Sequence, residues 1–123
     1  MSKASILLVD DNSHQHELFK CYAMYAKEVD IHFASSLSDA LESIKRDKPK
    51  AVLLDNRLHP YKSYLETVPI LRDAGFDGKI VVISADVSEK VFDAHKAHSV
   101  ECCVNKFDFN LSNFSQRIGE MVN

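Results

Sequence analysis

The segment that most constrains the fold is a run of four apolar residues ending in a carboxylate, AVLLD at Ala51–Asp55. A short apolar run without polar alternation is typical of a strand buried on both faces of a parallel sheet. Ligands of open α/β sheets bind outside the carboxyl ends of the strands, so Asp55 stands where chemistry would take place. Taken alone, Asp55 could equally begin a turn or cap a helix.

The composition is that of an ordinary globular domain. The chain has 123 residues, 46% of them apolar and 27% charged, which suffices for one domain with a buried core. A net charge of −3 without a basic stripe gives no reason to expect direct nucleic-acid binding. No apolar run is long enough for a signal peptide or a membrane span, and three cysteines without a framework spacing indicate reduced thiols. We therefore expect a cytoplasmic protein without a membrane partner.

Strand-like and helix-like segments alternate along the chain. Five segments have the pattern of strands, the second with the alternation of an edge strand: residues 6–9, 29–33, 51–54, 80–83 and 102–105. Helical spacing and capping residues predict five helices: from 12 or 13 to about 27, from 36 or 38 onward, from about 67 to 75, over 88–98 and from about 110. The alternation predicts an α/β fold, a five-stranded parallel sheet with helices on both faces.

The helical spacing also predicts where individual side chains lie. The positions expected on the buried face of the first helix are Leu18, Tyr22, Tyr25 and Ala26, and those expected on the buried face of the last helix are Leu111, Phe114, Ile118 and Met121. Pro69 is expected in the first turn of the third helix, where its missing N–H is tolerated.

Polar side chains follow four of the five predicted strands. They are Asp10 with Asp11, Asp55, Ser84 and Lys106. Because the carboxyl ends of parallel strands lie along one edge of the sheet, we expect these side chains to lie close together. Each one alone has an ordinary interpretation as a turn residue, a cap or a solvated charge. Their coincidence at one edge favours a functional site.

The residue types at this edge suit a metal ion and an anion. Adjacent carboxylates repel one another unless a cation lies between them, and a few carboxylates with several waters suit Mg²⁺. A lysine and a hydroxyl opposite them suit an anion with several oxygens. Together they indicate a phosphoryl group held between a metal ion and an ammonium, with an aspartate as its acceptor.

With this ordered set, Asp-Asp, Asp, Ser-Ala and Lys, the sequence resembles the receiver domains of two-component response regulators over nearly its whole length. The resemblance implies a single receiver domain at residues 1–123, without a separate output domain, and a flavodoxin-like strand order of 2-1-3-4-5. It implies that Asp55 accepts a phosphoryl group from a histidine kinase or a histidine phosphotransfer protein. Phosphorylation would then control binding to a downstream protein, and the domain would catalyse only its own phosphorylation and dephosphorylation.

The resemblance also implies a role for each residue of the site. The Mg²⁺ ligands would be Asp10, Asp11, Asp55 and the backbone carbonyl of Arg57. Ser84 matches the hydroxyl residue that moves to the phosphoryl oxygen, and Ala85 matches the small residue that leaves it room. Lys106 matches the lysine that neutralises the charge of the phosphoryl group.

Several positions depart from the family pattern: His59 stands where the family has a proline, with Pro60 one place late, and Ser63 stands where a glycine is expected. Cys103 replaces the aromatic switch residue three places before the lysine, and Phe107 replaces the proline after it. A thiol is too small to alternate between a buried and an exposed position with much change in area. We therefore expect Cys103 to stay packed, and the response to phosphorylation to fall on residues 84–87 and the loop after Asp55.

Arg57 and Asp86 lie two places past the phosphoacceptor and two places past the hydroxyl residue. In receivers these positions flank the path of the hydrolytic water, so an Arg57–Asp86 pair would prolong the phosphorylated state. The alternative is that Arg57 points to solvent or contacts a partner kinase.

Two other functions deserve comparison with the phosphoacceptor. An interaction module that keeps the fold without depending on phosphorylation is favoured by the missing aromatic and proline. A hydrolase with an aspartate nucleophile is disfavoured, because no second acid is placed to act on a water.

Overall fold

The structure is a computed structural model, and it describes residues 4–26, 29–85 and 100–122. Its strands are β1 (Ala4–Val9), β2 (Val29–Ala34), β3 (Ala51–Asp55), β4 (Lys79–Ser84) and β5 (Cys102–Asn105). They form one parallel sheet in the order β2-β1-β3-β4-β5. The predicted fold class and the strand order 2-1-3-4-5 are confirmed.

Four α-helices lie in the described part of the chain: α1 (Ser13–Met24), α2 (Leu37–Asp47), α3 (Tyr64–Asp73) and α4 (Phe114–Val122). The side chains of Asn12, Ser36 and Ser63 cap the first three by accepting hydrogen bonds from backbone N–H groups. The helix predicted over 88–98 lies outside the described residues. None of the described helices has both the length and the apolar character needed to cross a membrane.

Apolar side chains cover both faces of the sheet. Alternate strand residues join α2 and α3 in one core cluster, and the remaining strand residues join α1 and α4 in a second. Every residue of β3 is buried, which explains why its sequence shows no polar alternation. The edge strand β2 buries Val29 and exposes Asp30, whereas residues 31–33 are all half-buried, so the predicted alternation is confirmed only at the start of the strand.

An aromatic cluster anchors the chain that follows β5. A 3₁₀ turn at Lys106–Asp108 leads to the buried Phe109, whose ring lies 5.1 Å from that of Phe19 on α1. The hydroxyl of Tyr22 donates a hydrogen bond to the carbonyl of Phe109 at 3.2 Å. This packing fixes the segment carrying Lys106 against α1.

The predicted start of the third helix was wrong. α3 begins at Tyr64, not near Thr67, because Ser63 caps it and the side chain of Asn56 accepts the Tyr64 N–H at 2.9 Å. Pro69 consequently lies inside the helix and not in its first turn. The carbonyl that its missing N–H leaves without a donor belongs to Leu65, an exposed residue that water can reach.

The predictions for the faces of the first and last helices were wrong in part. Leu18 and Tyr25 are exposed, whereas Phe19 and Tyr22 are buried, because α1 turns the Phe19 ring into the aromatic cluster. α4 begins at Phe114, since the side chain of Asn110 closes a separate turn before it. Leu111 lies in that turn and is exposed. The other predicted core positions of the last helix, Phe114, Ile118 and Met121, are buried.

Replacing the fully buried Leu53 by alanine should lower the free energy of unfolding by about 2–5 kcal/mol, because it leaves a cavity between the sheet and its helices. Leu65, which is 39% exposed, is the matched control, and Leu65→Ala should cost less than about 1 kcal/mol. Urea unfolding followed by circular dichroism measures both. Equal losses would contradict the two-sided burial of β3.

Candidate functional site

The carboxyl ends of β1, β3, β4 and β5 surround a polar cavity of about 290 Å³. The residues that line it are Asp10, Asn12, Asp55, Arg57, Ser84, Ala85 and Lys106. The parallel register brings them together, since it pairs the end of β3 with β4 and the end of β4 with β5. The structure thus places the predicted strand-end residues at one edge, with the Asp11 carboxylate close to those of Asp10 and Asp55.

One ammonium is shared by two buried carboxylates in this cavity. Lys106 Nζ lies 2.9 Å from Asp10 Oδ2 and 3.3 Å from Asp55 Oδ1. The Asp10 side chain is fully buried, and the Lys106 side chain is only 11% exposed. Buried charges are stable in proteins when they are paired, and here one positive charge serves two negative ones. Because Asp11 adds a third carboxylate, the cluster keeps an excess of negative charge.

The pKa values of the cluster follow from this imbalance. Burial and the negative charge of Asp10 raise the pKa of Asp55 to about 6, against the opposing effect of Lys106 and a backbone hydrogen bond. Burial works against the charge of Lys106, but the hydrogen bonds and charges of Asp10 and Asp55 outweigh it and raise the pKa of the lysine. The lysine therefore stays protonated at neutral pH, whereas the pKa of Asp55 lies just below neutral pH.

Backbone N–H groups hold the three carboxylates in place. Each carboxylate accepts one such bond, the pairs being Asn12 N to Asp10 Oδ1 (2.9 Å), Arg57 N to Asp55 Oδ1 (3.2 Å) and His59 N to Asp11 Oδ2 (3.2 Å). The bond from His59 joins the loop after β3 to the loop after β1. The two loops therefore fix the positions of the acidic groups relative to each other.

The donor set fits Mg²⁺. Asp10, Asp11 and Asp55 each offer a carboxylate oxygen, and these oxygens lie within 4.8 Å of one another. Oxygen ligands with room for several waters suit this ion, and the excess negative charge favours a divalent cation between the carboxylates. Arg57, whose backbone carbonyl was the fourth predicted ligand, lines the same cavity.

Three residues that support the site were not predicted from the sequence. Asn12 lines the cavity, and the side chain of Asn105 donates to the carbonyl of Ala85 at 3.2 Å. His16 Nε2 lies 2.6 Å from the carbonyl oxygen of Asp10; since a carbonyl only accepts, that nitrogen carries the hydrogen. Asn105 could have been predicted, because it is a polar residue at the end of a strand. The contact of His16 could not, because it depends on how α1 crosses the sheet.

The remaining predicted positions are Cys103, Ser84 and Asp86, and the structure describes the first two. Cys103 is partly buried against the core cluster on the α2 and α3 side, and burial raises its pKa to about 11, so the thiol is packed and neutral. Ser84 ends β4 and is 9% exposed. Asp86 lies outside the described residues, so the Arg57–Asp86 pair stays a prediction.

No family model and no curated protein matches this sequence. The structure is similar to the signal receiver domain of NarL from Mycobacterium tuberculosis, with a TM-score of 0.84, 18% identity, and 99% of this chain and 98% of that chain covered. For the chemotaxis response regulator CheY4 of Vibrio cholerae the TM-score is 0.80, the identity 16% and the coverage 98% and 99%. For the response regulator domain of Thermotoga maritima CheB these values are 0.75, 12%, 98% and 93%. The chain therefore has the receiver-domain fold that the resemblance implied.

The raised pKa of Asp55 predicts a pH-dependent stability in the absence of metal. The folded chain holds the Asp55 proton up to about pH 6, while the unfolded chain loses it near 3.8, so stability falls as the pH rises through this window. Asp55→Asn keeps the shape without the charge. It should raise the free energy of unfolding by about 1–3 kcal/mol at pH 8 and by much less near pH 4.

Urea unfolding in EDTA at the two pH values measures this difference. The matched control is Asp73→Asn, because Asp73 is an exposed aspartate at the end of α3. If the free energy of unfolding changed equally with pH in both variants, the pH dependence could not be assigned to the raised pKa of Asp55. Added Mg²⁺ should stabilise the wild type more than Asp55→Asn, since it compensates the same charge.

Proposed function

We propose that this chain is a phosphoacceptor signalling domain that takes a phosphoryl group on Asp55 in a Mg²⁺-dependent reaction. The observation that supports it most is the position of Lys106 Nζ, 3.3 Å from Asp55 and 2.9 Å from Asp10, in a cavity lined by these two carboxylates, with the Asp11 carboxylate close to both. An ammonium and a divalent cation on opposite sides suit a group with several anionic oxygens. The receiver-domain fold supports the same interpretation.

In the proposed reaction a carboxylate oxygen of Asp55 attacks the phosphorus of a phosphohistidine on the partner. The new O–P bond forms as the P–N bond breaks, and the imidazole leaves with the electron pair and takes up a proton. With a pKa of about 6, the Asp55 carboxylate is ionised at neutral pH and is therefore available as a nucleophile. The Arg57 N–H, bonded to Oδ1, holds the carboxylate in a fixed orientation.

The other residues of the site would stabilise charge. Asp10, Asp11 and Asp55 would hold Mg²⁺, which when bound supplies positive charge to the phosphoryl oxygens. Lys106 would exchange its contact with Asp55 for one with a phosphoryl oxygen. The Ser84 hydroxyl would donate to another oxygen, beside Ala85, whose small side chain leaves the cavity open.

The partners in this proposal are a histidine kinase or histidine phosphotransfer protein upstream and a protein that binds the phosphorylated form downstream. Residues 1–123 would act as one receiver domain, and the cytoplasm is the compartment in which such partners meet. The chain would catalyse only its own phosphorylation and dephosphorylation.

A phosphorylation-independent interaction module is the second candidate. Two observations favour it: Cys103 occupies the place of an aromatic switch, and Phe107 is 74% exposed beside the site. An interaction module of this kind gives no role to the excess negative charge around Asp55. The phosphoacceptor function is therefore preferred.

Treatment with a small phosphodonor and Mg²⁺ should add one phosphoryl group to the wild type and none to Asp55→Asn, because the amide lacks the nucleophilic oxygen. Intact-mass analysis measures the adduct, and Asp73→Asn is the matched control that should react normally. An equal yield in Asp55→Asn would exclude Asp55 as the acceptor. An unreactive, folded wild type would favour the interaction module.

Asp11→Ala should raise the Mg²⁺ concentration for half-maximal phosphorylation by about tenfold or more, since it removes one of three charged ligands. Asp11 is exposed, so the variant should keep its unfolding temperature within a few degrees. Phosphorylation rates over a Mg²⁺ titration measure the effect, with Asp73→Ala as the control. A normal Mg²⁺ dependence in Asp11→Ala would show that the metal is bound elsewhere.

A further inference from the structure

Asn105 stands where two strands end together. It is the last residue of β5 and pairs with Ser84, the last residue of β4. Beyond this pair the sheet ladder no longer joins the two chain segments. One segment begins with Ala85 and the other with Lys106, and both of these residues line the cavity.

The side chain of Asn105 bonds to both segments. Its Nδ2 donates to the carbonyl of Ala85 at 3.2 Å, and its Oδ1 accepts from the N–H of Phe107 at 2.8 Å. Because the carbonyl can only accept and the N–H can only donate, these partners fix the orientation of the amide. The amide thus bridges the two segments with a donor and an acceptor on separate atoms.

One of the two segments is itself fixed to the core. Phe109 is buried against Phe19, and its carbonyl accepts a hydrogen bond from Tyr22. The turn that carries Lys106 is therefore rigid at its far end. Through the amide of Asn105, this rigidity extends to Ala85 and hence to the neighbouring Ser84.

Cys103 does not provide this link. It lies two residues before Asn105 on the same strand, so both side chains point to the same face of the sheet. The thiol packs against the core cluster, farther from the strand ends than the amide of Asn105. The bridge that the structure describes between the ends of β4 and β5 is polar and lies next to the cavity.

We propose that Asn105 is a positioning residue that sets the Ser84 hydroxyl relative to the Lys106 ammonium, the two groups that would contact the phosphoryl oxygens. This inference rests on the proposed function of the site. Asn105 itself would touch neither the metal nor the phosphoryl group; it acts through Ser84 and Ala85.

Asn105→Ser and Asn105→Thr test the bridge. Each keeps a hydroxyl that can accept from the Phe107 N–H, but each is too short to donate to the carbonyl of Ala85. Asn113→Ser is the matched control: the Asn113 amide also donates to a backbone carbonyl, that of Asp108, and accepts from the Asn110 N–H, without lining the cavity.

With saturating phosphoramidate and Mg²⁺, both Asn105 variants should phosphorylate about five- to tenfold more slowly, the size expected for one lost hydrogen bond. The Mg²⁺ concentration for half-maximal rate should stay within about twofold, because the carboxylates are untouched. Asn113→Ser should react at the wild-type rate. Wild-type rates in both Asn105 variants, or equal slowing in Asn113→Ser, would overturn the proposal.

A double-mutant cycle separates positioning from general loosening of the fold. If Asn105 acts through Ser84, adding Asn105→Ser to Ser84→Ala should slow the reaction less than about twofold further. A second slowing as large as the one in the wild-type background would overturn the proposed role. A wild type that takes no phosphoryl group overturns the proposed function together with this role, whereas an active wild type with unaffected Asn105 variants overturns this role alone.

Discussion

The sharing of Lys106 between Asp10 and Asp55 is the interaction on which the site depends. It places one ammonium against two buried carboxylates, at 2.9 Å and 3.3 Å, and leaves a negative charge unmatched. An unmatched buried charge is costly, and the cost appears as the pKa of about 6 for Asp55. A bound divalent cation would remove that cost, and an anionic group could then occupy the space between the cation and the lysine. The same imbalance would thus account both for the proposed metal binding and for the proposed reactivity of Asp55.

The fold supplies the rigidity that such a charge cluster needs. Asp10, Asp55 and Ser84 stand at the ends of strands whose apolar residues are buried on both faces, so packing of these residues fixes where the polar ones emerge. Lys106 is fixed from the other side by the Phe109 contacts with α1. Backbone N–H groups from two loops orient the carboxylates, and the hydrogen bond from the His59 N–H to Asp11 joins these loops. Core packing and site geometry are therefore parts of one arrangement.

The sequence predicted those features that depend on strand pattern. The apolar run before Asp55 indicated a doubly covered strand, and the polar residues after four strands indicated one shared edge, because both follow from parallel pairing. Features that depend on how helices turn against the sheet were not predictable in this way. Phe19 in place of Leu18 on the buried face, and the contact of His16 with the Asp10 carbonyl, are set by the crossing of α1. The early start of α3 depends on its cap, Ser63, and on Asn56, a loop residue whose side chain accepts the Tyr64 N–H.

The proton release expected on Mg²⁺ binding gives the most direct test of the proposed site. With the Asp55 pKa near 6, calorimetric titrations at pH 6 in buffers of different ionisation enthalpy should show about half a proton released per Mg²⁺ bound. The release should fall towards zero at pH 8 and be absent at both pH values in Asp55→Asn. Mg²⁺ binding by the wild type at pH 6 without proton release, or with the same release in Asp55→Asn, would contradict the account.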